Sequence, residues 1–121
     1  MPANELYSDI QKFMALVGNI HTYDEAINTK LIVSLQLYYK TIENLGTEIH
    51  EDWKKRCEEG TDIGCFGLTE LGHGSNVRGI ETTATYDHST KEFIINTPNE
   101  KAMKFWIGGA AKSSTTSVIF A

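Results

Sequence analysis

The 121 residues carry a net charge of −5, with 40% apolar and 22% charged side chains, a balance that supports one packed domain and excludes general disorder. The most basic run, Lys54-Lys55-Arg56, is flanked by Glu51, Asp52, Glu58 and Glu59, so no nucleic-acid footprint is present. The longest apolar run, residues 31–35, is broken by Ser34 and cannot span a bilayer, and MPANELYSD lacks the basic-then-apolar order of a secretory signal.

The first half of the chain has a helical period. Leu6, Ile10, Phe13, Met14 and Val17 fall at helix spacing, and Gly18 closes that segment. Thr22-Tyr23-Asp24-Glu25 reads as a capping box opening a long helix that runs to about Leu45 and ends at Gly46. Its middle, LIVSLQLYY, is apolar on more than one face, with a strand as the competing reading of so β-branched a run. Thr47 can cap a third helix that carries Ile49, Trp53 and Cys57 on one stripe and stops at Gly60. Cys57 and Cys65, the only cysteines, match no zinc or redox spacing and fit a reducing compartment.

Beyond residue 61 the period drops to two. Residues 63–68 and 81–86 read as strands, Asp87-His88-Ser89-Thr90 as a turn, and residues 91–96 as the returning arm of a hairpin. Thr97-Pro98-Asn99 breaks the run, and residues 104–107 and 117–121 read as further strands around a Gly108-Gly109 turn. Helices first and antiparallel strands second give an α+β fold, with a helical segment at 1–61 and a β-segment at 62–121. The sequence ends inside the apolar run Ile119-Phe120-Ala121, so the β-segment is expected to be unfinished.

The chemistry concentrates in GCFGLTELGHGSNVRGIETTA, residues 64–84. GHGSNV is not a dinucleotide fingerprint, because Val77 takes the last glycine's place, and no Gly-Lys-Ser/Thr makes it a P-loop. Ser75 has His73 and Val77 where a nucleophile elbow needs glycines. His73 could pair with Glu70, yet no nucleophile sits at a workable spacing, and His21, His50 and His88 form no metal pattern with it. Two readings remain: a plain glycine-rich turn, or a loop whose glycines let backbone amides approach a planar or anionic ligand, with Thr69 and Ser75 adding hydroxyls. A ligand held so would be a cofactor, since the loop has no acid–base apparatus of its own.

The run CFGLTELGHGSNVRGIETTATYD, followed by EFIINTP and KFWIGGAAK, closely resembles the acyl-CoA oxidases, flavoproteins related to the acyl-CoA dehydrogenases. YYKTIENLGTEIHEDWKKRCEEGTDIG resembles the end of that family's N-terminal helical domain more weakly. Leu71 and Asn76 stand where the dehydrogenases carry proline and aspartate, which favours the oxidase form over the dehydrogenase alternative. The resemblance implies an FAD-contacting loop from Phe66 through Gly67, Leu68, Thr69 and Gly74 to Ser75, with Thr69 bonding the flavin ring and Ser75 also near the acyl-CoA. It implies a second flavin-contacting segment at Trp106, Ile107 and Gly108, although composition alone would make Trp106 a core aromatic.

The same resemblance implies oxidation of an acyl-CoA to a trans-2-enoyl-CoA with release of hydrogen peroxide, the first step of fatty-acid β-oxidation. It further implies a homodimer and a peroxisomal location, with a mitochondrial one as the alternative. The family's glutamate base matches none of Glu70, Glu81, Glu92 or Glu100, and Glu70 reads as bonding its own loop. The expectation is therefore a piece of such an enzyme, its rival being an inactive structural or assembly subunit.

Overall fold

The computed structural model describes residues 9–121, so Leu6 lies outside the described residues. Helix α1 spans Ile10–Tyr23 and starts at Asp9, whose carboxylate accepts the Gln11 and Lys12 N–H groups at 3.1 Å. It runs through Gly18 rather than stopping there. Thr22 does not form the expected capping box: its hydroxyl turns back to the carbonyls of Gly18 and Asn19, at 3.1 and 2.8 Å, inside the same helix. Asp24 is the cap instead and accepts the Ala26 N–H at 2.8 Å at the start of α2 (Glu25–Leu31). Of the expected apolar face of α1, Phe13 and Val17 line a small cavity with Ile20, Leu31 and Leu35, while Ile10 and Met14 are exposed.

The LIVSLQLYY region is helical, and strand is the reading that loses. Residues Ile32–Tyr39 form a π-helix, wider than an α-helix by one residue per hydrogen-bonded turn, and α3 (Lys40–Leu45) continues from it. Gly46 ends α3, its N–H donating to the Ile42 carbonyl at 2.8 Å. A 3₁₀ turn at Glu48–His50 leads into α4 (Glu51–Glu58). Its tighter winding puts Ile49 out of phase with the helix that follows, so only Cys57 of the expected stripe is buried and Ile49 is exposed. Gly60, at φ +73°, closes α4 with Gly60 N–H to the Cys57 carbonyl and Thr61 N–H to the Arg56 carbonyl, 3.1 and 3.0 Å.

Strand β1 (Gly64–Gly67) pairs with β4 (Thr116–Ile119). Strands β2 (Thr83–Asp87) and β3 (Glu92–Asn96) form an antiparallel hairpin in register from Thr83↔Asn96 to Asp87↔Glu92. Residues 104–107 are not a strand beyond one bridge between Lys104 and Glu70, because Trp106 takes a left-handed φ of 61° that extended pairing forbids.

The chain divides into two compact units. The first holds the residues up to Phe66 together with Gly108–Ser117; the second holds Gly67–Ile107 and Val118–Ala121. The first unit buries Tyr38, Tyr39, Ile42, Cys57 and Cys65. A Cβ on Gly64 would stand 2.0 Å from the Tyr38 ring, so only glycine admits that ring against the chain. The Tyr38 hydroxyl accepts from Thr116 Oγ1 at 2.9 Å. In the second unit the buried positions are Gly67, Glu70, Thr82 and Ala102, and the two largest of these side chains are polar. No helix among the described residues is long and apolar enough to cross a membrane.

Candidate functional site

The glycine-rich loop belongs to the second unit, where it is hydrogen-bonded to the 101–105 segment. Thr69 accepts the Phe105 N–H at 3.0 Å, and the Leu71 and Gly72 N–H groups donate to the carbonyls of Met103 and Lys101 at 2.8 Å. These bonds bring Leu68 and Thr69 alongside the backbone that leads into Trp106 and Ile107. Two segments that the sequence separates by more than thirty residues are thereby joined. Gly74 and Ser75 are exposed at the far end of the loop. Phe66 and Gly108 belong to the first unit, Phe66 lining a groove with Gln36, Leu37, Lys40 and Asn44, and Gly108 a cavity with Val33, Gly64 and Ser114.

Beneath the loop, Glu70 is 1% exposed and carries the burden of organisation. Its Oε1 accepts the Thr82 N–H at 2.9 Å, the Thr82 hydroxyl at 2.5 Å and the Lys104 ammonium at 3.3 Å. Its Oε2 accepts the His73 Nδ1–H at 2.8 Å and the Glu81 N–H at 3.0 Å. Burial pushes this carboxyl up, but the Thr82 hydroxyl, the two backbone amides and His73 together hold it well below the usual carboxylate range. The Nε2 of His73 lies 3.4 Å from Glu81 Oε1, so a carboxylate oxygen faces each ring nitrogen. Glu70 and His73, considered as a base pair from sequence, are thus a scaffold. Thr82 and Lys104 were not singled out from sequence; the legible signal was a lone lysine inside MKFWI, which burial obliges to find an acceptor.

The residues present fit a flavin on three observations. A Cβ at Gly74 would meet nothing within 4 Å, and one at Gly108 only Val33 at 3.7 Å, so neither glycine is required by the chain's own packing. Gly67 differs, since a Cβ there would stand 2.5 Å from Ile119. Trp106 is 84% exposed and held at φ 61°, a costly conformation for a bulky residue that points to a role outside its own packing. The buried thiols fit no chemistry: burial pushes Cys57 up, and among the described residues no group of three His, Cys, Asp or Glu could hold a metal.

No family model matches the sequence. Relatives nevertheless exist. The peroxisomal acyl-coenzyme A oxidase 3 of Arabidopsis thaliana is 48% identical over 108 residues, which is 88% of this chain and 16% of that protein. The crystal structure of acyl-CoA oxidase 3 from Yarrowia lipolytica superposes with a TM-score of 0.76 at 39% identity, covering 100% of this chain and 20% of that one. A glutaryl-CoA dehydrogenase from Mycobacterium smegmatis in complex with FADH2 gives 0.73 at 30% identity, over 84% and 25% of the two chains. Helices leading into two-stranded sheets, together with the likeness to these solved structures, define an acyl-CoA oxidase/dehydrogenase-type fold. Within that class the chain belongs to the acyl-CoA oxidase family, spanning about a sixth of the length of the curated relatives it matches.

Proposed function

We propose that these residues form the flavin-contacting part of an FAD-dependent acyl-CoA oxidase, with residues 1–61 closing the helical domain and residues 62–121 opening the β-domain. When bound, FAD supplies the oxidising chemistry that converts acyl-CoA and O₂ to trans-2-enoyl-CoA and hydrogen peroxide. The observation that carries the reading is the Thr69–Phe105 hydrogen bond, which sets the glycine loop beside an exposed Trp106 in strained backbone. In the second unit Thr69 would donate its hydroxyl to the flavin ring, with Gly67, Leu68, Trp106 and Ile107 beside it; Phe66 and Gly108, which belong to the first unit, are flavin contacts on the family resemblance alone. Gly74 leaves room for close approach, and Ser75, exposed beside it, would also contact the acyl-CoA.

The base that takes the substrate's α-proton is assigned to no residue here. Glu70 is unfit for it, because five donors occupy its two oxygens. The family reading also carries a homodimer and, from the Arabidopsis relative's name, a peroxisomal location.

The test follows peroxide and the visible spectrum of the purified protein that carries this chain. A flavin band bleached anaerobically by a fatty acyl-CoA, with peroxide on admitting air, is the expected result. Bleaching with electrons passed only to an external acceptor would make it a dehydrogenase. No flavin and no turnover would leave the assembly-subunit reading.

A further inference from the structure

One ammonium holds both neighbours of Thr69. Lys104 Nζ donates to the Leu68 carbonyl at 3.1 Å, to Glu70 Oε1 at 3.3 Å and to the Phe120 carbonyl at 2.8 Å. Thr69 lies between the first two, and its own carbonyl is held by the N–H of the next residue along, Phe105. Three consecutive residues are therefore fixed by Lys104 and Phe105. Glu70 is fixed in turn from the other side by Thr82, Glu81 and His73. The Thr69 hydroxyl, by contrast, has no hydrogen-bond partner among the described residues.

A buried ion pair is a poor way to gain stability, since desolvating both charges offsets most of their attraction. What a fully bonded pair does well is fix geometry. We propose that Glu70 and Lys104 are a positioning pair that sets the Thr69 hydroxyl toward the flavin, an inference that rests on the flavin reading above. Neither group touches the reacting atoms. Their effect on the hydrogen bond to the flavin runs through Thr69, and the dependence on Thr69 separates it from the Lys104 contact to Leu68 and from a general loss of stability.

The experiment is a double-mutant cycle in the flavoprotein that carries this chain. The dissociation constant for FAD and the positions of the flavin absorption bands are measured for Lys104→Met and Glu70→Gln, each with Thr69 intact and with Thr69→Val. With Thr69 intact, both variants should weaken FAD binding about tenfold and shift the bands; with Thr69→Val already present, the same changes should fall below about twofold. Thr82→Val is the milder variant, keeping its shape and the carboxylate while removing one hydroxyl bond to Glu70. It should show the same coupling at about two- to threefold, and it decides the matter if the charge variants do not fold. Equal effects in both backgrounds, or a lowered melting temperature with affinity and spectrum unchanged, would overturn the positioning role. A wild-type protein that takes up no FAD overturns the flavin reading itself, and the pair's role with it.

Discussion

Glu70 shows how much one side chain can settle. Its folded pKa lies below its ordinary value of 4.5 because its donors outweigh its burial. As pH falls the unfolded chain therefore takes up this proton first. The stabilisation is complete above the unfolded pKa and is lost as pH drops through the folded one. The urea midpoint of the wild type minus that of Glu70→Gln should be constant near neutrality and shrink below about pH 4.5. A difference that stays level down to pH 3 would mean that the carboxylate is not held as described. Thr69 gives the complementary prediction, on binding rather than folding. Thr69→Val keeps the shape and removes one hydroxyl, so it should cost about 1–3 kcal/mol in flavin affinity or in the barrier. Unchanged FAD retention and turnover would remove Thr69 from the site.

At the scale of elements, two glycines separate folding from binding. Gly64→Ala drives a methyl into the Tyr38 ring, which Thr116 pins by its hydroxyl, and should cost about 1–3 kcal/mol by thermal melting. Gly108→Ala places its methyl 3.7 Å from Val33, an ordinary contact, and should melt like the wild type while retaining less flavin. A wild-type flavin content in Gly108→Ala would show that this turn only connects. The sequence carried the helical period, the hairpin and the order of segments, because each rests on local spacing. It misplaced the α2 cap, since Thr22 and Asp24 both suit a cap and only the chain's direction after Tyr23 chose the aspartate. It also turned residues 104–107 into a strand, because an apolar alternation cannot reveal the left-handed Trp106 that interrupts it. The family motifs supplied the proposed flavin residues, and the structure joins the Leu68–Thr69 stretch of them to the segment that leads into Trp106. Their support was illegible, because Thr82 and Lys104 reach Glu70 from 12 and 34 positions away.

On the scale of the whole chain, the β2–β3 hairpin is the least self-sufficient part. Phe93, Ile94 and Ile95 are 66%, 56% and 58% exposed, although neighbours along a strand point to opposite faces, so neither face is covered by described residues. The 121-residue chain should self-associate with rising concentration, and Ile95→Lys should reduce this in sedimentation; identical behaviour of the two would show that the hairpin does not drive it. The first unit has a different dependence. Tyr38 is bonded to Thr116 across 78 positions, and Asp62 accepts from Thr115 across 53. Those threonines return to the helices only after the whole of Gly67–Ile107 has been made. At about 5–20 residues per second on a ribosome, the Tyr38 hydroxyl waits roughly 4–16 s for its partner. During that interval the glycine loop has already emerged, so a translational pause between residues 67 and 115 prolongs the time for which the helices stand unlatched.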